Sequence, residues 1–127
     1  MKALVVDDSR SMRAILSKQL RELGFQVAEA SGGVEALRAL HEEGPFELVL
    51  LDWNMPEMDG REVLTLIRSE QSYKNVRVMM VTTESEMSQV SVALEAGANE
   101  YLMKPFDRDS LLEKLILLGL DPSGRTL

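Results

Sequence analysis

Short apolar runs and helical repeats alternate five times along the chain. The runs are ALVV at 3–6, QVAEA at 26–30, LVLL at 48–51, VRVMMVT at 76–82 and EYLM at 100–103, each with strand-like length or composition. Between them apolar residues return at helical spacing: Met12, Ile15, Leu16, Leu20 and Leu23; Val63, Leu64 and Ile67; Met87, Val90 and Leu94; Leu111, Leu115 and Leu118. A weaker pattern covers 34–40. Gly24, Gly44, Gly97 and Gly119 stand just past four of these segments, where a left-handed residue would close a helix. Three of the five strands look buried on both faces, and continuous apolar strands joined by helices argue for a parallel sheet covered on both faces. The expected architecture is a doubly wound α/β domain.

At 127 residues the chain suits one ordinary domain, read as residues 1–120 with a short tail, 121–127. Only that tail, DPSGRTL, has a composition that need not fold. Fourteen basic against 21 acidic residues give a net charge of −7, which repels nucleic acid and anionic membrane in the absence of a basic patch, and none is evident. There is no cysteine, so disulfide, thiol-redox and Cys-metal chemistry are excluded. The start, MKALVVDDS, has too short an apolar run for a signal peptide, and no apolar segment reaches the ~20 residues of a membrane span. A cytoplasmic protein is expected.

In doubly wound sheets, ligands bind beyond the carboxyl ends of the strands. The polar residues of interest lie there: Asp7 and Asp8 after the first strand, Asp52 after the third, Thr82 and Thr83 at the fourth, Lys104 and Pro105 after the fifth. Three carboxylates brought together in a poorly hydrated cleft either raise a pKa or require a cation. Oxygen donors with no nearby His or Cys favour Mg²⁺, which tolerates few protein ligands and leaves room for a phosphate oxygen. Lys104 adds positive charge and Thr82 a hydroxyl, both suited to phosphoryl oxygens. The set reads as a phosphoryl-transfer site.

The segments VVDDS, LLDWNMPEMDG, MMVTTE and YLMKPF, in that order and spacing, resemble the receiver domain of two-component response regulators across essentially the whole chain. The DWNMP segment, the aromatic Tyr101 and the lack of an evident output module are most similar to the stand-alone receivers of chemotaxis. The resemblance implies the flavodoxin-like strand order 2-1-3-4-5, an order known for doubly wound sheets that include receivers themselves. It implies Asp52 as phosphoryl acceptor. It further implies Mg²⁺ held by Asp8, Asp52 and the backbone carbonyl of Asn54, with Asp7 acting through water. Thr82 and Lys104 would bind the phosphoryl group, Thr82 and Tyr101 would form the switch, and Lys104–Pro105 would be a cis peptide. Asn54 and Glu84 match positions flanking the site, and the resemblance suggests a short-lived phosphate. The implied phosphodonor is a histidine kinase. The implied target is a downstream protein such as the flagellar motor switch, bound through the face of the fourth helix, fifth strand and fifth helix. The chain is expected to be a monomer, with dimerisation on phosphorylation left open. A relay passing phosphate on to a histidine phosphotransferase is the alternative. A flavin protein of similar topology is disfavoured, because Asp7 and Asp8 stand where it needs a glycine-rich phosphate loop.

Asp59 is expected to cap the third helix, and Gly60 to permit a close approach of backbone. Trp53 is read as packing at the edge of the site, His41 as a surface residue near a helix C-terminus, and the eight methionines as core filler. The segment LLEKLILLGL carries Ile116 and Leu117 beyond its core stripe, and Val92 also points off the stripe of its helix. These residues are read equally as a docking surface or as scattered surface apolars.

Overall fold

The computed structural model describes residues 1–124, the side chain of Glu84 excepted. The elements run β1 (Lys2–Val6), α1 (Arg10–Glu22), β2 (Gln26–Ala30), α2 (Gly33–Glu42), β3 (Leu48–Asp52), α3 (Gly60–Ser69), β4 (Arg77–Thr83), α4 (Val90–Glu95), β5 (Glu100–Lys104) and α5 (Arg108–Leu117). Short 3-10 turns at Gln71–Tyr73 and Glu84–Gln89 precede β4 and α4. The sheet is parallel throughout in the order β2-β1-β3-β4-β5. The doubly wound α/β reading and its inherited strand order are both what the molecule adopts.

Continuous apolar sequence explains the centre of this sheet. Every residue of β3 is buried, as are all of β1 after Lys2 and the five central residues of β4. Their side chains divide into two apolar layers. Leu4, Val6, Val49, Leu51, Val78 and Met80 pack with Val63, Leu64 and Ile67 of α3 and Ala93 of α4. Ala3, Val5, Leu48, Leu50, Met79 and Val81 pack with Leu16 and Leu20 of α1 and Leu111 and Leu115 of α5. Each fully buried Leu or Met contributes roughly 1.5 to 3 kcal/mol of transfer free energy, so these layers are the chief cohesive force. The edge strands β2 and β5 are only part-buried, as their polar residues Gln26, Glu29 and Glu100 require.

Helix starts are set by side chains that satisfy free N–H groups. Ser9 Oγ accepts from the Met12 N–H at 3.3 Å, and Asp107 Oδ1 accepts from the Ser110 N–H at 2.8 Å. Asp59 caps α3 as expected, within a reciprocal box in which its carboxylate accepts from the Glu62 N–H at 3.0 Å. On the opposite edge of the sheet, Arg68 of α3 ties four segments together. Its guanidinium donates to the carbonyls of Gly97, Tyr73 and Val76 at 2.9, 3.1 and 2.8 Å, and to Asn99 Oδ1 at 2.8 Å. Asn99 in turn accepts from the Val78 N–H.

Several expectations of detail are corrected. Ile15 and Leu94 are 49% and 44% exposed, so they flank their helical stripes rather than lie in them, and Ala93 takes the buried position on α4. Met87 lies in the 3-10 turn before α4. Gly24, Gly97 and Gly119 do adopt left-handed φ values of 105°, 113° and 72°, whereas Gly44 does not. Gly44 precedes a cis Pro45 and is needed for space, since a Cβ there would lie 2.8 Å from the Leu40 carbonyl oxygen. Of the tail, Arg125, Thr126 and Leu127 lie outside the described residues. Asp121 is buried, accepts hydrogen bonds from Ser123, and is followed by Pro122, whose Cβ faces Gly24. The first residues of the tail thus touch the domain at Asp121 and Pro122.

Candidate functional site

Parallel pairing brings the ends of β1, β3 and β5 to one edge of the sheet. Val6 pairs with Leu51, Asp52 with Val81, and Thr83 with Lys104. Carboxylate oxygens of Asp7, Asp8 and Asp52 consequently lie within 4.8 Å of one another. Asp7 and Asp52 are 1% and 6% exposed while Asp8 is exposed, so the trio has a buried floor and one open side. Lys104 reaches into it, with Nζ 3.5 Å from Asp7 Oδ2 and 3.7 Å from Asp52 Oδ1. Those distances make it mainly a Coulombic partner shared by two carboxylates. The Lys104–Pro105 peptide is cis.

Local backbone fixes the carboxylates. Asp7 Oδ1 accepts from the Ser9 N–H at 2.8 Å, and Arg13 Nη1 donates to the Asp7 carbonyl at 2.7 Å while its Nε lies 3.5 Å from Glu29 Oε1. Asp52 Oδ1 accepts from the Asn54 N–H at 3.4 Å. Burial, and then the charge of Asp7, push the Asp52 carboxyl up from 3.8 to about 7, against the opposing pull of Lys104. One lysine does not balance three carboxylates. The donor set of oxygens only, close together and open on one side, fits a hard divalent cation, which would relieve this repulsion.

The two remaining expected residues sit apart from the acidic trio. Thr82 lies within β4, fully buried, one residue beyond the partner of Asp52. Its hydroxyl is 3.3 Å from the Thr83 carbonyl oxygen and 3.4 Å from Glu86 Oε1, and it makes no hydrogen bond to Asp52. Tyr101 is half-buried on β5, with the Lys114 ammonium 4.1 Å from its ring centroid. Lys114 also pairs with Glu100 at 3.0 Å.

The model of the response regulator receiver domain family matches residues 3–116. This chain is a response regulator receiver. It is 44% identical over 121 residues to the chemotaxis protein CheY1 of Helicobacter pylori, an alignment covering 94% of this chain and 98% of that protein. The chemotaxis protein CheY of Pseudomonas aeruginosa is 44% identical over 116 residues, 91% of this chain and 93% of that one. A solved structure of Vibrio cholerae CheY4 superposes with a TM-score of 0.84 at 36% identity, covering 92% of this chain and 97% of that one.

Three neighbours of the receiver site escape a reading by strand ends. Ser9 acts through its backbone N–H, which carries no sequence signal. Arg13 reaches the Asp7 carbonyl only because α1 starts directly after β1. Glu86 was legible as the last residue of T-x-x-E at 83–86, a capping-box signature. Glu84 matches a flanking position in sequence, but its side chain lies outside the described residues. Trp53 and Met55 are buried in the apolar layer below the loop, so Trp53 contributes packing, while His41 is exposed.

Gly60 lets that loop close. A Cβ there would lie 2.7 Å from the Asp52 carbonyl oxygen and 2.8 Å from Trp53 Cα, both backbone atoms that cannot swing aside. Gly60→Ala is expected to cost about 2 to 3 kcal/mol in urea unfolding, the scale of overpacking, and to shift Asp52 relative to Lys104. A variant as stable as the parent would show that the loop has slack.

Proposed function

We propose that this receiver takes a phosphoryl group onto Asp52 from the phosphohistidine of a histidine kinase, and so changes its affinity for a downstream partner in chemotaxis, such as the flagellar motor switch. The observation that carries the reading is a strand-end carboxylate enclosed by two others and a lysine. An Asp52 oxygen forms the bond to phosphorus as the phosphorus–nitrogen bond breaks, and the histidine leaves with the electron pair. Asp52 at the end of a buried strand is held rigidly, as in-line attack demands. Asp8, Asp52 and the Asn54 carbonyl, with Asp7 through water, are the residues that would hold Mg²⁺. That ion, when bound, supplies positive charge to the phosphoryl oxygens. Lys104 serves the same oxygens from the other side, and Asp7 keeps its ammonium in place.

Phosphorylation adds close to two negative charges beside Lys104 and near Thr82. Two new charge-assisted hydrogen bonds, at ~1.5 to 3 kcal/mol each, give ~3 to 6 kcal/mol. Moving a two-state protein from 1:99 to 99:1 takes ~5.5 kcal/mol, so the pull is of sufficient size. Thr82 turns toward the phosphoryl group, Tyr101 moves inward behind it, and the face formed by α4, β5 and α5 changes. Leu94 and Leu117, 44% and 56% exposed, give that face apolar contact points. No helix among the described residues is long and apolar enough to cross a membrane. The chemotaxis names of the relatives favour direct signalling over relay to a histidine phosphotransferase.

Acetyl phosphate with Mg²⁺ is expected to leave a hydroxylamine-labile phosphoryl mark at Asp52, located by mass spectrometry and abolished by chelator. The marked protein is expected to bind a flagellar motor-switch protein more tightly than the unmarked one. Failure of the mark to appear at Asp52 would end the proposal.

A further inference from the structure

The hydroxyl of Thr82 carries one proton, and two acceptors share it at long range, 3.3 and 3.4 Å. Its two acceptors are the Thr83 carbonyl and Oε1 of Glu86. The same Glu86 oxygen accepts from the Thr83 N–H and the Thr83 hydroxyl, both at 3.0 Å, and the Thr83 hydroxyl also meets Ser85 Oγ at 2.9 Å. Three donors from adjacent residues thus converge on one carboxylate oxygen. A capping box for the 3-10 turn at Glu84–Gln89 needs only the Thr83 N–H donating to the Glu86 carboxylate and the Glu86 N–H donating to the Thr83 hydroxyl. The contact with Thr82 is additional, and it falls on the buried hydroxyl nearest in sequence to the strand partner of Asp52.

We propose that Glu86 is a latch: an anionic acceptor that holds the Thr82 hydroxyl in the resting receiver and must be displaced before a phosphoryl oxygen on Asp52 can take that hydrogen bond. The proposal rests on Asp52 being the phosphoryl acceptor. Of the two acceptors open to Thr82 at rest, the carboxylate is the stronger competitor for a phosphoryl oxygen by virtue of its charge, even at 3.4 Å. Glu86 therefore sets the work that phosphorylation has to do. Phosphorylation also supplies the means of release, since close to two new negative charges repel a carboxylate sharing the same hydroxyl. Thr83 pairs with Lys104 across β4 and β5, so release of the turn is transmitted to the strand that carries Tyr101. Glu86 is in these terms a positioning residue that acts through Thr82.

Beryllofluoride with Mg²⁺ mimics the phosphoryl group, and the emission of Trp53, the sole tryptophan and the residue next to Asp52, is the readout, with isothermal titration calorimetry beside it. Glu86→Ala is expected to bind the mimic about three- to tenfold more tightly than the parent, the worth of one competing hydrogen bond. Glu86→Gln keeps an acceptor oxygen without the charge, so it should fold readily and show a smaller gain. In a Thr82→Ala background, removing Glu86 is expected to change affinity by less than about twofold, because the latch has nothing left to hold. A role confined to capping predicts a lower Tm for Glu86→Ala with no gain in affinity. Parent protein that binds the mimic while Glu86→Ala binds it equally or more weakly would overturn the latch alone, as would an equal gain in the Thr82→Ala background. Parent protein that does not bind the mimic would overturn the phosphoryl-acceptor reading and the latch with it.

Discussion

Asp52→Asn is expected to lose all phosphoryl incorporation and, without metal, to be more stable than the parent at about pH 8. The loss follows because an amide is too weak a nucleophile to accept the group. The gain in stability follows from the raised carboxyl of Asp52, displaced from 3.8 to about 7 by burial and by Asp7. Between those values the folded protein holds a proton that the unfolded chain has released. Folded-state stability therefore falls as pH rises through that window, and the whole deficit is present above about 7. Asn carries no charge and removes the deficit. Lys104 then keeps Asp7 as its partner at 3.5 Å but loses Asp52, which offsets part of the gain. A net stabilisation of about 1 to 3 kcal/mol in chemical denaturation is expected, vanishing below about pH 4. Saturating Mg²⁺ should reverse the order, because the parent binds the ion better and is stabilised more by it. An Asp52→Asn protein less stable than the metal-free parent at about pH 8 would show that the carboxylates are not in conflict.

The second large effect belongs to a residue remote from the acidic edge. Arg68→Ala is expected to cost about 3 to 4 kcal/mol, because four acceptors lose a charged donor together and Val76, which supplies one of them, is buried. In a chain of this size that corresponds to a fall in Tm of roughly 10 to 15 °C in calorimetry. Arg68→Lys should recover little, since an ammonium cannot span carbonyls arranged around a planar fork. Phosphorylation of the folded fraction should be unaffected, because none of these partners lies at the Asp52 edge. A change in Tm of only a few degrees would mean that water replaces the guanidinium.

How much of this could be read from residues alone depends on where each interaction originates. The buried strands β1, β3 and β4 declare themselves through apolar runs, and Asp59 through its place before a helical repeat. Periodicity locates a helical stripe but not which of its margins touches the sheet, so Ile15 and Leu94 read as core and are exposed. A glycine after a helix suggests a left-handed cap, yet at Gly44 the requirement is room beside the Leu40 carbonyl. Asp7, Asp8, Asp52 and Lys104 were visible as strand-end residues, while their convergence depends on β1 lying beside β3, an order that came from family resemblance. The partners of Arg68 come from four places in the chain between Tyr73 and Asn99, and no local pattern announces such a bond. Thr82 stood out by its place in the motif, whereas T-x-x-E at 83–86 marks Glu86 only as a capping residue and does not announce its contact with the Thr82 hydroxyl.

The open edges of the sheet also bear on how the molecule behaves in company. A bare strand edge is a template onto which a second chain can add and start a fibril. Here each edge strand has five residues, β2 showing Gln26 and Glu29 to solvent and β5 running from Glu100 to Lys104, after which Pro105 has no N–H to offer. The net charge of −7 adds a general repulsion between copies, and five-residue edges leave little length to zip along. Short strands with polar side chains at both margins leave a second chain little backbone to pair with.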